Sequence, residues 1–327
     1  MTANENRFSF ATTGAYPRRQ GEIDMADRLE GKRILITGPS GQVALPVTRA
    51  LAADNDVIGI ARFRDPASRA ELEALGVTCI AVDLAAGDFG EVPDDVDYVL
   101  NLAVVKSNRW EVDLRGNAEA AGLLMAHCRT ATAFLHCSST GVYGHAGAHQ
   151  LVETDPLGDN HRVMLPTYSI AKIATEAVVR TEARQLGLPT TIARLNVPYG
   201  ENGGWPLFHL EMLLAGHPIP VHPDRPNLFN PIHEDDIIAT IPALLDAANV
   251  PATIVNWGGD QQVALEEWVA EMGRIAGIEP TFDVTDQTIG GVTIDNTLRQ
   301  ELLGPTTVDW HDGIRRMIAA QHPELLA

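Results

Sequence analysis

Tyr168 and Lys172 stand four residues apart in the stretch PTYSIAKIATE, residues 166–176. On a helix those positions share one face, one turn apart. A free phenol has a pKa near 10 and is a poor acid or base at neutral pH. Lowering it to about 7 takes roughly 4 kcal/mol, and one ammonium about 4 Å away supplies about that at an effective dielectric near 20. The pair is therefore competent for proton transfer, but the same spacing is common on ordinary amphipathic helices. A second signal is TGPSGQVA, residues 37–44, where Gly38, Gly41 and Ala44 recur at intervals of three. Small residues between a buried strand and a helix let the backbone approach a pyrophosphate, and the helix amino end offers free N–H groups to it. The competing reading of that stretch is a tight turn that binds nothing.

The elements that must position these residues follow a regular order. RILITG, DVIGIAR, VTCIAVD, VDYVLNLA, TAFLHCSS and TTIARLN are short apolar runs read as six buried strands. Helical patterns separate them, among them VALPVTRALAA, SRAELEALG, EVDLRGNAEAAGLLMAHC and YSIAKIATEAVVRTEARQLG. Strands alternating with helices predict an α/β fold, a Rossmann-type doubly wound parallel sheet with ligands at the strands' carboxyl ends. After residue 200 the rhythm loosens into loops rich in Gly, Pro, His and Asn, with TIVNWGG as one more sheet strand. The expected organisation is an N-terminal extension over 1–30 and a dinucleotide-binding domain over 31–200, with sheet returns near 231–240 and 252–258. Residues 201–327 form a smaller, interleaved, mainly substrate-binding part.

The formal charge of −19, from 24 Lys plus Arg against 43 Asp plus Glu, argues against nucleic acid or an anionic membrane as partner. The three cysteines form no CxxC pair, which fits a reducing cytoplasm. No apolar run reaches membrane-spanning length. The expected partners are a small-molecule substrate and a second copy of the chain.

Taken in order, these stretches resemble the extended short-chain dehydrogenase/reductase family, often described as NAD-dependent epimerase/dehydratase, from about residue 32 to 320. TGPSGQVA resembles its cofactor turn, VDL its adenine contact, NLA its fourth-strand end and RLNVPYG the segment beneath the nicotinamide. IHEDD and TLRQELLG resemble its later landmarks, and Asn117 its structural asparagine. CSSTGVYG resembles its serine strand, and the resemblance implies Ser139, Tyr168 and Lys172 as the catalytic set, with Tyr168 the acid/base and Ser139 a donor to the substrate oxygen; a strand-end hydroxyl that caps a turn is the competing reading of Ser139. The resemblance also implies cofactor contacts from Gly38, Ser40, Gly41, Gln42, Val43, Asp83, Leu84, Leu102, Ala103, Asn117, Tyr168, Lys172, Asn196 and Val197. Asp83 equally suits a helix cap. The second strand ends in Ala61-Arg62, with Arg64 close behind and no acid for a ribose hydroxyl. Arg62 is either the partner of a ribose phosphate, so that NADP is expected over NAD, or a solvated surface arginine.

Two departures bear on the substrate. Thr140-Gly141 stands where sugar-nucleotide dehydratases carry an Asp-Glu pair, which leaves elimination of water without a proton donor. Phe229 and Asn230 occupy the region of an expected diphosphate-binding arginine, with Arg225 nearby. Candidate substrate contacts are Thr140, Asn196, Trp205 and Phe229, with Leu207 and Phe208 extending an apolar wall. His145, His149, His209, His217 and His222 flank the expected cleft. His233, Glu234, Asp235 and Asp236 are ligand-type residues but read as the cap of a following helix, so no metal is expected. The leading expectation is an NAD(P)-dependent oxidoreductase acting on a carbonyl or secondary alcohol. A nucleotide-sugar epimerase is the alternative, and a non-catalytic NADP sensor the third reading.

Overall fold

Seven short apolar strands join into one parallel sheet in the computed structural model, which describes residues 29–326. The extension expected over 1–30 therefore lies, but for its last two residues, outside the described residues. The strands are β1 (Arg33–Thr37), β2 (Asp56–Ala61), β3 (Thr78–Ala81), β4 (Tyr98–Asn101), β5 (Ala133–Ser139), β6 (Thr190–Leu195) and β7 (Thr253–Trp257). Their order is β3-β2-β1-β4-β5-β6-β7, and every neighbouring pair is parallel. The chain leaves β1 for β2 and β3 on one side, then crosses back to β4 on the other. The crevice outside the carboxyl ends of β1 and β4 is thus the topological switch point.

Period-2 alternation sends the strand side chains to two cores. Ile34 and Ile36 pack with Val47, Leu244 and Trp257, while Leu35 packs with Leu124, Phe134 and Val179 on the opposite face. The first face is covered by α1 (Ala44–Ala52), with Pro46 tolerated in its first turn, and the outermost strands lead through α2 (Pro66–Ala74). The second face carries one continuous helical run. It comprises α3 (Trp110–Asp113), a π-helical stretch (Leu114–Glu119) and α4 (Ala120–His127), packed against α5 (Tyr168–Leu186). Gly187, at φ 66°, closes α5 in the left-handed conformation that glycine adopts without a Cβ penalty.

The later helices are α6 (Trp205–Leu214), α7 (Glu234–Asp246), α8 (Leu265–Ala276), α9 (Thr297–Leu303) and α10 (Trp310–Gln321). A separate core joins α6, α8 and α10 through Leu210, Trp268, Val269, Ile314 and Met317. β7 is the sheet return expected near 252–258. The return expected near 231–240 differs. Ile232–His233 pairs with Pro198–Gly200 outside the seven-stranded sheet, and the chain then enters α7, which packs on that sheet beside α1. The reason lies in the residues: two apolar or aromatic positions are too few for a sheet strand, and Glu234, Asp235 and Asp236 favour a helix amino end. No described helix is long and apolar enough to cross a membrane.

Beneath the end of β5 lies a buried ion pair. Arg194 on β6 donates through Nε and Nη2 to the two carboxylate oxygens of Glu176 on α5, at 3.0 and 2.7 Å. Ser138 Oγ donates to the same carboxylate at 2.6 Å, and the guanidinium lies 4.8 Å from the Tyr143 ring centroid. Burial pulls the Arg194 pKa down, but the Glu176 hydrogen bond and charge more than offset it. This network fixes Ser138, and with it the strand end that presents Ser139.

Candidate active site

A cavity of about 1070 Å³ runs along the carboxyl ends of the central strands. At one end it meets the glycine turn. Gly38 has φ 63°, and a Cβ there would lie 3.2 Å from the Cβ of Ala103 at the end of β4. The positive φ favours glycine, and the tight approach to Ala103 leaves little room for a side chain. Gly41 N–H donates to Gly38 C=O at 2.9 Å, and Leu45 N–H to Gly41 C=O at 2.8 Å, which leads the turn straight into α1. Thr37 Oγ1 donates to Asn101 and accepts from Ala103 N–H at 2.9 Å, tying the ends of β1 and β4 together. Gly38, Ser40, Gly41, Gln42, Val43, Leu102 and Ala103 all line the cavity.

Arg62, Arg64, Asp83 and Leu84 line the same end. Arg62 and Arg64 are exposed, and neither side chain has a hydrogen-bond or ion-pair partner among the described residues. Asp83 accepts from Ala85 N–H at 3.1 Å and caps the short turn Leu84–Ala86. Asn117 stands apart. It does not line the cavity, because its amide is spent on backbone: it accepts from Val105 N–H and donates to the carbonyls of Val105 and Asp113. Its amide ties the loop after β4 to the π-helical stretch that contains it.

Ser139, Tyr168 and Lys172 converge on the middle of the cavity. Ser139 ends β5 and accepts from Gly141 N–H at 3.0 Å, so the strand-end capping role and an inward-facing hydroxyl coexist. Tyr168 opens α5, and Thr167 beside it is anchored by donating to Asp113 at 2.5 Å. Lys172, one turn on, is buried and donates to Cys137 C=O at 2.8 Å. Burial pushes the Tyr168 phenol up to about 12, opposed by a hydrogen bond with Ser139. Burial also lowers the Lys172 pKa. The expected lowering of the phenol by the Lys172 ammonium is therefore outweighed. Desolvation of the phenolate outweighs a lysine whose ammonium is directed to a carbonyl.

On the substrate side, Thr140, Asn196, Val197, Trp205 and Phe229 line the cavity. Thr140 Oγ1 donates to Leu195 C=O at 3.4 Å. Asn196 accepts from the N–H groups of Val197 and Asn230 and donates to Val292 C=O, so its amide shapes the wall from behind. Trp205 and Phe229 meet edge to face at 5.1 Å, and Phe208 joins the lining while Leu207 packs into the adjoining core. Arg225 is not in the cavity; it is bound to Glu266 at 2.9 Å.

Lys106, His161, Met164, Ile289 and Val292 also line the cavity, although no sequence spacing marked them. Lys106 lies 5.6 Å from the Tyr168 ring centroid, and burial lowers its pKa. His145, His149, His209, His217 and His222 do not line it; His209, for example, is buried as the acceptor of Trp268 Nε1–H. His233 caps α7 through Asp235 N–H, Asp235 pairs with Arg316, and Asp236 accepts from the backbone of Thr307 and Val308. Glu234 accepts from Asn202 N–H at 3.0 Å, so each of the four ligand-type side chains is engaged within the chain.

Residues 34–258 match the model of the NAD dependent epimerase/dehydratase family. No curated protein matches the chain. Among solved structures, UDP-glucuronic acid 4-epimerase from Bacillus cereus, in complex with UDP-glucuronic acid and NAD, is 21% identical, with a TM-score of 0.76, covering 88% of this chain and 98% of that one. UDP-N-acetylglucosamine 4-epimerase from Methanobrevibacter ruminantium M1 is 17% identical, with a TM-score of 0.77, covering 90% and 99%. DesIV, a dTDP-glucose 4,6-dehydratase from Streptomyces venezuelae with NAD and TYD bound, is 21% identical, with a TM-score of 0.75, covering 89% and 97%. At these identities the likeness is one of fold.

Proposed function

The chain belongs to the NAD dependent epimerase/dehydratase family, and from that premise we propose that it is an NAD(P)-dependent oxidoreductase interconverting a carbonyl and a secondary alcohol. The observation that carries the reading is the meeting of Ser139, Tyr168 and Lys172 on one wall of a cavity that also holds the glycine turn. The close approach of Gly38 to Ala103 is the kind of cradle a pyrophosphate requires. A bound nicotinamide cofactor would give or take the hydride. Ser139 holds the reacting oxygen through its hydroxyl, and Tyr168 gives a proton to that oxygen or takes one from it. Lys172, one helical turn from Tyr168, lines the cavity and is fixed to Cys137 C=O. Three free cysteines accord with a reducing compartment, so a cytoplasmic location belongs to the proposal, as does a homodimer.

NADP is the proposed cofactor. Arg62 and Arg64 are unpaired cations at the end of β2, on a chain of net charge −19. A charge-assisted bond to a ribose phosphate is worth about 1.5–3 kcal/mol, or roughly a ten- to hundredfold preference for NADP over NAD. Arg62→Ala should erase most of that preference by weakening NADP alone. The dissociation constants of both cofactors, for wild type and variant, decide it. Equal affinities in the wild type would make Arg62 a solvated surface residue.

A nucleotide-sugar epimerase is the second reading, favoured by the ligands of the B. cereus and M. ruminantium enzymes. Against it, Asn230 is fully buried and committed to Gly259 C=O and Ile294 N–H, while Arg225 is engaged on the surface. UDP is therefore expected to bind the cofactor-loaded protein no tighter than about 1 mM, near −4 kcal/mol. Calorimetry tests this, and a micromolar constant would put the epimerase reading first.

A further inference from the structure

Gly141 leaves a space that His161 fills. A Cβ on residue 141 would lie 2.7 Å from Cε1 and 2.8 Å from Nδ1 of His161, and 3.1 Å from Ser139 Oγ. The imidazole edge and the candidate catalytic hydroxyl thus border the same point. The ring also meets Tyr168, with centroids 5.2 Å apart. His161 Nδ1 contacts Oδ1 of Asn160. With the Asn160 carboxamide oxygen assigned to face the ring, Nδ1 is assigned the ring proton and Nε2 the lone pair. Nε2 has no partner among the described residues, although the side chain lines the cavity. Burial, with the Lys106 charge behind it, holds the imidazole pKa down at about 4. The ring is therefore a neutral acceptor at neutral pH.

The neighbouring walls state what else the substrate must be. Val104, Met164 and Phe208 line the cavity and remain 40%, 39% and 54% exposed, an apolar rim open to a ligand. Trp205 and Phe229 stand behind it. Among the described residues, the arginines that line the cavity are Arg62 and Arg64, at the end with the glycine turn.

Resting on the oxidoreductase reading, we infer that His161 determines specificity: its Nε2 accepts a hydrogen bond from a hydroxyl on the carbon next to the reacting one. The preferred substrate is then a vicinal hydroxy ketone or diol with an apolar body. A substrate lacking that hydroxyl would leave a desolvated acceptor unpaired beneath an apolar ligand, which discriminates more strongly than apolar contact alone.

The test compares α-hydroxyacetophenone with acetophenone on the full chain, by calorimetry with oxidised NADP bound and by turnover with NADPH as the hydride donor. Wild type is expected to bind the hydroxylated probe at least about tenfold tighter, a difference of about 1.4 kcal/mol. In His161→Phe the ratio between the two probes should fall to about one, and in His161→Gln, which restores an acceptor oxygen, part of it should return. Equal affinities in the wild type, a ratio that survives His161→Phe, or binding of neither probe would overturn the inference. Turnover separates it from the premise. Reduction of both probes at equal rates retains the oxidoreductase reading and removes the role of His161. A binding ratio that depends on His161 without any hydride transfer retains the subsite and removes the reading.

Discussion

Tyr168→Phe is expected to lower kcat by roughly a hundredfold to ten-thousandfold, the range that a positioned acid or base contributes. The ring, its packing against His161 and its place under Lys106 survive in phenylalanine, so the cofactor dissociation constant should change by less than about threefold. Stopped-flow hydride transfer and cofactor titration on the same preparation read the two effects separately. The pH dependence follows from the burial that pushes the phenol up to about 12. A raised pKa disfavours the charged form, so the phenol keeps its proton throughout the neutral range. As a proton donor it is ready for carbonyl reduction, whose rate should be flat from about pH 6 to 9. Alcohol oxidation needs the phenolate and should rise with pH over the same range, in proportion to the ionised fraction. A variant that retained most of the wild-type kcat would remove Tyr168 from the chemistry. An oxidation rate that fell as pH rose would remove it as the base.

The sequence made the sheet legible because its strands are short apolar runs, and burial on both faces leaves few other readings for them. The glycine turn was equally legible, since φ 63° at Gly38 favours the residue present and the tight approach to Ala103 suits it. What spacing could not show was where long-range contacts send a side chain. Asn117 matched a family position, but the hydrogen bonds that hold its amide to Val105 and Asp113 belong to the loop after β4. His161 precedes Tyr168 by seven residues, a separation with no meaning until the loop before α5 folds it against Gly141. The expected effect of Lys172 on Tyr168 came from distance alone. It omitted desolvation, the opposing influence, which no reading of neighbouring residues supplies.

Glu176→Ala is expected to destabilise the protein by about 3–5 kcal/mol, because it strands the Arg194 guanidinium in a dry interior. Both side chains are only 2% exposed. Removing the carboxylate deletes two hydrogen bonds from Arg194 and the one from Ser138 Oγ, leaving three donors that water cannot reach. The pair as a whole is a different quantity. Two charges that cost desolvation energy to bury can be replaced together by apolar groups of similar volume at little net cost. Glu176→Leu combined with Arg194→Met should therefore recover much of the stability lost in Glu176→Ala, and denaturant unfolding of the set measures the difference. Catalysis should respond otherwise. Ser138 would still lack its acceptor in the double variant, so the β5 end that carries Ser139 would be less well fixed, and kcat should stay depressed while the fold is restored. If Glu176→Ala unfolded with less than about 1 kcal/mol of loss, the carboxylate would be solvated in practice. If the stabilised double variant kept full kcat, Ser139 would be positioned by β5 pairing with β6 alone, and the ion pair beneath it would serve the fold but not the site.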